Sequence, residues 1–262
     1  MKLLKTTMAA LTVFAALSCT KNQTEGFGQV NFVVSSDVVV ADQTKSNVSD
    51  YTSLPSANDF SMVIKNSESA AVYTGTVGEW DPASKLNEGT YSVVVSYGDL
   101  ETEGFDKPYF YGIANFTVVG GEAKTVSVNA ALENTIVRIA CSENFKKYFS
   151  DYTFKLKRGT SEIVTFVKDD TRAAFIDGYL FNLEAVIKGE TKTYEISREY
   201  KNLDVATAYT LAFDVTNVGG AGITISFNND VEKVELGDYE LNDSYNIPLR
   251  DSVHKRAQRL FR

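Results

Sequence analysis

The chain has 262 residues, 44% of them hydrophobic, 12% aromatic and 23% charged, a balance that belongs to a folded protein and not to a disordered or fibrous one. Its only histidine, His254, sits near the C terminus, which all but removes Ser-His-Asp triads, Cys-His pairs and multi-histidine metal sites from consideration. A net charge of −8 disfavours nucleic acid and anionic lipid as partners.

The first residues, MKLLKTTMAALTVFAALSCTK, combine a basic start at Lys2 and Lys5, a short apolar run from Met8 to Leu17, and small residues before Cys19. This pattern predicts an export signal over residues 1–18, too short for the ~20 residues of a membrane-spanning helix. Ala16-Leu17-Ser18-Cys19 resembles a bacterial lipobox. That resemblance implies cleavage before Cys19, lipid (including palmitate) on the new N terminus, and residues 19–26 as a tether. The alternative is an ordinary secretory signal with an incidental cysteine. At about 0.8 kcal/mol per buried CH₂, several acyl chains give stable anchoring, here expected at the outer membrane and facing the cell surface. Removing residues 1–18 takes away Lys2 and Lys5 and shifts the net charge from −8 to −10. With Cys19 acylated, Cys141 has no disulfide partner; it alternates with Val137 and Ile139 and reads as a small buried hydrophobe.

From Gly28 onward the hydrophobic pattern has period two, the signature of strands. The runs fall at 28–35, 60–65, 70–74, 91–97, 113–119 and 124–132, with turns such as Val119-Gly120-Gly121-Glu122 between them. A second series covers 134–141, 152–157, 162–167, 173–176, 179–187, 192–197, 209–215 and 223–227, and 231–241 adds a further candidate. One short helix is predicted over 142–149, with Ser142 as its N-cap. Short strands at this spacing predict an all-β chain of two tandem antiparallel β-sandwiches, immunoglobulin- or transthyretin-like, over residues 27–132 and 133–241. Residues 242–262 form a basic tail; within its last 13 residues, 250–262, Arg250, Lys255, Arg256, Arg259 and Arg262 face one acid, Asp251, so residues 19–249 carry −14. A flexible terminus is expected there.

Chemistry-bearing residues are few. Asp99, Glu101, Glu103 and Asp106 could offer oxygen ligands to Ca²⁺, although they lack EF-hand spacing and a solvated acidic turn is the simpler reading. Trp80, the only tryptophan, lies in the turn-rich Gly78-Glu79-Trp80-Asp81-Pro82 and is a candidate sugar platform or adhesive contact; the alternative is a plug at one end of a sandwich. In Tyr109-Phe110-Tyr111, an inward Phe110 turns Tyr109 and Tyr111 outward, which makes both candidate ligand contacts. No catalytic residue, metal cluster or cofactor site is predicted, and Gly219-Gly220-Ala221-Gly222 reads as a hairpin turn.

The run Val95-Ser96-Tyr97-Gly98, continued by Gly104-Phe105-Asp106-Lys107-Pro108-Tyr109-Phe110-Tyr111-Gly112, resembles a Bacteroidetes lipoprotein family known only as a domain of unknown function. Leu132-Glu133-Asn134-Thr135 and the stretch from Ser142 to Tyr152 extend the resemblance over roughly residues 25–230. In layout the chain is also similar to fimbrillin-like proteins, lipidated precursors of two transthyretin-like sandwiches that polymerise by exchanging a strand. That similarity implies proteolytic removal of the first strand after a basic residue, for which Lys45 is the available site.

Three classes of function follow. The first is a non-catalytic adhesive or structural surface component assembled by strand exchange. The second is a surface glycan-binding lipoprotein of a polysaccharide-utilisation system. A glycan-active enzyme is the third and weakest.

Overall fold

A computed structural model describes residues 26–36, 39–40, 46–190, 192–215, 222–228 and 235–240. Cys19, Lys45, the turn at 219–221 and the tail from 242 lie outside the described residues. The first half contributes β1 (Phe27–Ser35), β2 (Val39–Val40), β3 (Ser46–Asn47), β4 (Ser61–Asn66), β5 (Ala71–Thr76), β6 (Lys85–Asn87), β7 (Gly89–Tyr97), β8 (Gly104–Phe105), β9 (Phe110–Val118), β10 (Ala123–Asn129) and β11 (Ala131–Leu132). The second contributes β12 (Thr135–Cys141), α1 (Glu143–Tyr148), β13 (Asp151–Arg158), β14 (Ser161–Phe166), β15 (Ala174–Ile176), β16 (Leu180–Lys188), β17 (Thr193–Lys201), β18 (Ala208–Val215), β19 (Gly222–Asn228) and β20 (Glu235–Glu240).

The protein is all-β, and local sequence accounts for its elements. In β7 the alternation of Tyr91, Val93 and Val95 with Ser92, Val94 and Ser96 buries the first set and leaves the second half-exposed. Ser142 caps α1, its Oγ accepting the Phe145 N–H at 3.0 Å, and Phe149 returns to extended backbone after about two turns. The expected strand 124–132 breaks at Ala130, whose N–H crosses to the Ser35 carbonyl, so β10 and β11 join different sheets.

The two halves share one topology. Taking β1, β4, β5, β6, β7, β9 and β10 as strands 1 to 7 of the first half, and β12 to β18 as strands 1 to 7 of the second, each half contains a sheet ordered 3-2-5-6 and a sheet ordered 4-1-7. In both, strand 1 runs parallel to strand 7: Phe32 pairs with Val126 and Val34 with Val128, while Val137 pairs with Tyr209 and Ile139 with Leu211. The expected all-β, largely antiparallel architecture holds, and within it, among the described residues, each half contains this one parallel pair. A period-two pattern reads alike in both strand directions, whereas a parallel partner is reached only by a long crossover, here through the other sheet.

Additions differ between the halves. In the second, the 4-1-7 sheet is widened to six strands, with β19 and β20 beyond strand 7 and β8, from the first half, beyond strand 4. Two apolar clusters form. One gathers Phe32, Trp80, Phe110 and Phe116; the other gathers Phe145, Phe154, Phe181 and Phe213. At the seam, Phe175 of β15 joins the first cluster while Ala174 and Ile176 join the second, and Ile136 and Val137 of β12 divide the same way. The seam end of the second half's sheet therefore serves both clusters, one with each face.

Candidate functional site

Strand β1 is the element nearest the N terminus among the described residues, and it lies in the middle of its sheet. Its burial alternates over nine residues, placing Val30, Phe32 and Val34 inside. The Phe32 ring meets Phe116 and Trp80 edge-on, with centroids 5.6 Å apart in each case. On one side β10 accompanies β1 from Gln29 to Ser35; on the other, β6 covers Phe27 to Gln29 only. Just past the end of β6, the Val30 carbonyl accepts a hydrogen bond from Trp80 Nε1 at 2.8 Å. Strand β6, too short for a periodic signal, and this indole contact were both invisible in the sequence.

Trp80 is therefore a core residue, 9% exposed, and its ring also meets Tyr73 edge-on at 4.9 Å. Of the two readings of Trp80, the structure excludes the solvent-facing platform and leaves the plug, because the indole N–H finds a backbone carbonyl to satisfy it inside. Burial, with Glu79 adding to it, raises the pKa of the neighbouring Tyr73 hydroxyl, which donates to the Thr76 carbonyl at 2.8 Å.

Tyr109, Phe110 and Tyr111 follow strand alternation: Phe110 is fully buried, Tyr111 is 36% exposed and Tyr109 is half-buried. Tyr111 stands opposite Ser96 and Ala131 on the outer face of the five-stranded sheet. Burial pushes the Tyr109 hydroxyl up, and the nearby carboxylate of Glu133 pushes it further. Its N–H donates to Asn134 Oδ1 at 2.5 Å, tying the motif to the start of the second half.

The four carboxylates weighed as candidate Ca²⁺ ligands, Asp99, Glu101, Glu103 and Asp106, do not converge. Asp99 accepts the Glu101 N–H at 2.9 Å, and Asp106 accepts the Thr52 hydroxyl at 3.0 Å. Glu103 turns the other way, its carboxylate gripping Arg158 of β13 through Oε2 to Nη1 at 2.9 Å and Oε1 to Nη2 at 3.0 Å. It also accepts the Asp177 N–H at 2.6 Å. Burial holds the Glu103 carboxyl above its ordinary pKa, although the Asp177 N–H and the guanidinium both pull it down. Among the described residues no group of three His, Cys, Asp or Glu side chains is placed to hold a metal ion.

No curated protein matches the chain. The sequence model of DUF4493, a domain of unknown function, matches residues 26–238. The chain belongs to this family. Among solved structures, the DUF4493 chain is similar to a candidate cell adhesion protein from Bacteroides fragilis, with 10% identity, 79% of this chain and 99% of that chain covered, and a TM-score of 0.42. A fimbrial assembly protein from Parabacteroides distasonis gives 6% identity, coverage of 65% and 88%, and a TM-score of 0.42. A candidate polysaccharide-binding protein from Bacteroides thetaiotaomicron gives 8%, 76% and 95%, and 0.41.

Within this DUF4493 fold Cys141 is half-buried and unpaired as a thiol, and burial pushes its pKa from 9.0 to about 12. The raised value favours the neutral thiol in the folded protein, so this contribution to stability is complete below pH 9 and is lost as the pH climbs toward 12. Labelling of Cys141 by a thiol reagent at pH 8 should accordingly be slow in folded protein and fast in urea. Fast labelling without denaturant would show an open, ionisable site. No described helix is long and apolar enough to cross a membrane.

Proposed function

We propose that this chain is a non-catalytic component of the cell envelope, lipidated on Cys19 at the outer membrane, and that it acts as a fimbrillin-like adhesive or structural subunit. The observation that carries the reading is the position of β1. A strand close to the tether fills the centre of a sheet and is held by ladder bonds, one indole contact and three inward side chains. Burying Val30, Phe32 and Val34 is worth on the order of 6 kcal/mol in sum, so a slot emptied of β1 calls for a replacement of the same pattern. A segment from a second copy, laid along β10, restores the same contacts. Cleavage at Lys45, beyond the end of β1, would release β1 together with the short β2 while leaving the chain from Ser46 onward intact.

The test is the native protein, extracted from outer membranes and run in detergent with and without boiling. A ladder of regular steps that collapses on boiling is expected, together with loss of membrane retention in Cys19→Ser. A single band near one subunit's mass in both lanes would overturn assembly by strand exchange.

A further inference from the structure

The two copies of the seven-strand topology differ in the connection between strands 5 and 6. In the second half β16 passes to β17 through residues 189–192; in the first, β7 passes to β9 through residues 98–109, three times the length. This longer loop reaches into the other half. Its β8 adds to the edge of the second half's sheet, Phe105 opposite Ala174 and Gly104 opposite Phe175. Gly104 takes φ +143°, a conformation that suits glycine, at the point where the chain turns onto that edge.

Side chains then fix the loop from both sides. The Phe105 ring stands edge-on to Phe166 at 4.9 Å and is covered by the Arg172 guanidinium at 3.8 Å. Glu103, its side chain 10% exposed, holds Arg158 with both oxygens. Arg158 is itself oriented by the carbonyls of Leu180 and Asp177 at 3.1 and 2.8 Å. A bidentate pair whose guanidinium is already held in place loses little side-chain entropy on closing. At the root of the loop, Thr52 secures Asp106.

We propose that loop 98–109 is an intramolecular clasp that couples the two halves, so that they unfold as one cooperative unit. The acidic residues that resemble a cation loop in sequence include the peg of this clasp, and Arg158 is its socket. The clasp also covers the β15 edge, which is otherwise a free strand edge.

Each half carries a natural reporter: Trp80 lies in the first cluster and Cys141 packs on the second. In the full chain bearing Cys19→Ser, urea unfolding is followed by tryptophan fluorescence and by Cys141 labelling. The parent should show one common midpoint. Glu103→Ala should separate the two midpoints by roughly 1 M urea, and Phe105→Ala, an independent lesion, should separate them where Glu103→Ala yields no folded protein. Lys155→Ala, which removes the exposed pair with Glu162 in the second half alone, should leave the midpoints together. Separate midpoints in the parent, or a common midpoint in both clasp variants whether shifted or not, would overturn the coupling.

Discussion

Trp80→Ala is expected to lower the free energy of unfolding by about 4 kcal/mol, read from urea denaturation followed by circular dichroism. The substitution empties a site walled by Phe32 and Tyr73, both edge-on to the indole, and leaves the Val30 carbonyl without its Nε1 donor. Large-to-small changes in a core lose the transfer energy of the removed atoms and leave a cavity that neighbours fill incompletely. Here those neighbours are in two places at once, since Phe32 belongs to β1 and Tyr73 to β5 of the facing sheet. Trp80→Phe keeps most of the ring volume and should cost about 1 to 2 kcal/mol, chiefly the hydrogen bond. A loss below 1 kcal/mol in Trp80→Ala would mean that the indole spends its time outside the core. The same burial bears on ligand binding: reduced retention of Trp80→Ala on a polysaccharide gel would follow from a damaged core, without the ring touching sugar.

Phe154→Ala should cost about 3 to 5 kcal/mol. Phe154 is 1% exposed, and its ring lies 4.3 Å from Phe213, 5.7 Å from Tyr152 and 6.5 Å from Phe145. Removing it breaks an aromatic cluster that joins β13, β18 and α1, so α1 loses the surface on which Phe145 rests. A six-residue helix is too short to persist alone in water. Helical signal and Cys141 protection should therefore fall together in this variant. Retention of both with an unchanged urea midpoint would show that the second cluster repacks around the gap.

How much of this was legible in the sequence depends on the range of the interaction involved. Tyr91, Val93 and Val95 announce a strand because alternation is a property of neighbouring residues, and the pleat puts every second side chain on one face. Ser142 announces a helix start for a similar reason: its hydroxyl reaches an N–H three residues away. Phe110 and Tyr111 take opposite faces as their adjacency requires. For Trp80 the sequence leaves platform and plug both open, because glycine and proline around it signal a turn and nothing local shows that a carbonyl 50 positions earlier receives its N–H. The acidic run from Asp99 to Asp106 was ambiguous on the same ground, since a carboxylate's role depends on the charge that faces it, and Arg158 is 55 positions from Glu103.

The repeated topology shows the same limit in larger form. No residue-level repeat links the two halves, because many apolar residues satisfy the same inward positions as long as the period is kept. Both halves nevertheless order their strands 3-2-5-6 and 4-1-7. The sequence by itself determined the class of the protein: an all-β chain of short strands, one capped helix, an acidic body and a lipobox-like start. Composition and period are local quantities, and they suffice for that. Only the tertiary structure decided that β1 lies mid-sheet and parallel to β10, that Trp80 faces inward, and that the 98–109 loop closes on the other half. Each of these is set by which distant surface completes a ladder, a ring contact or a charge pair, and a sequence read along its length does not contain that choice.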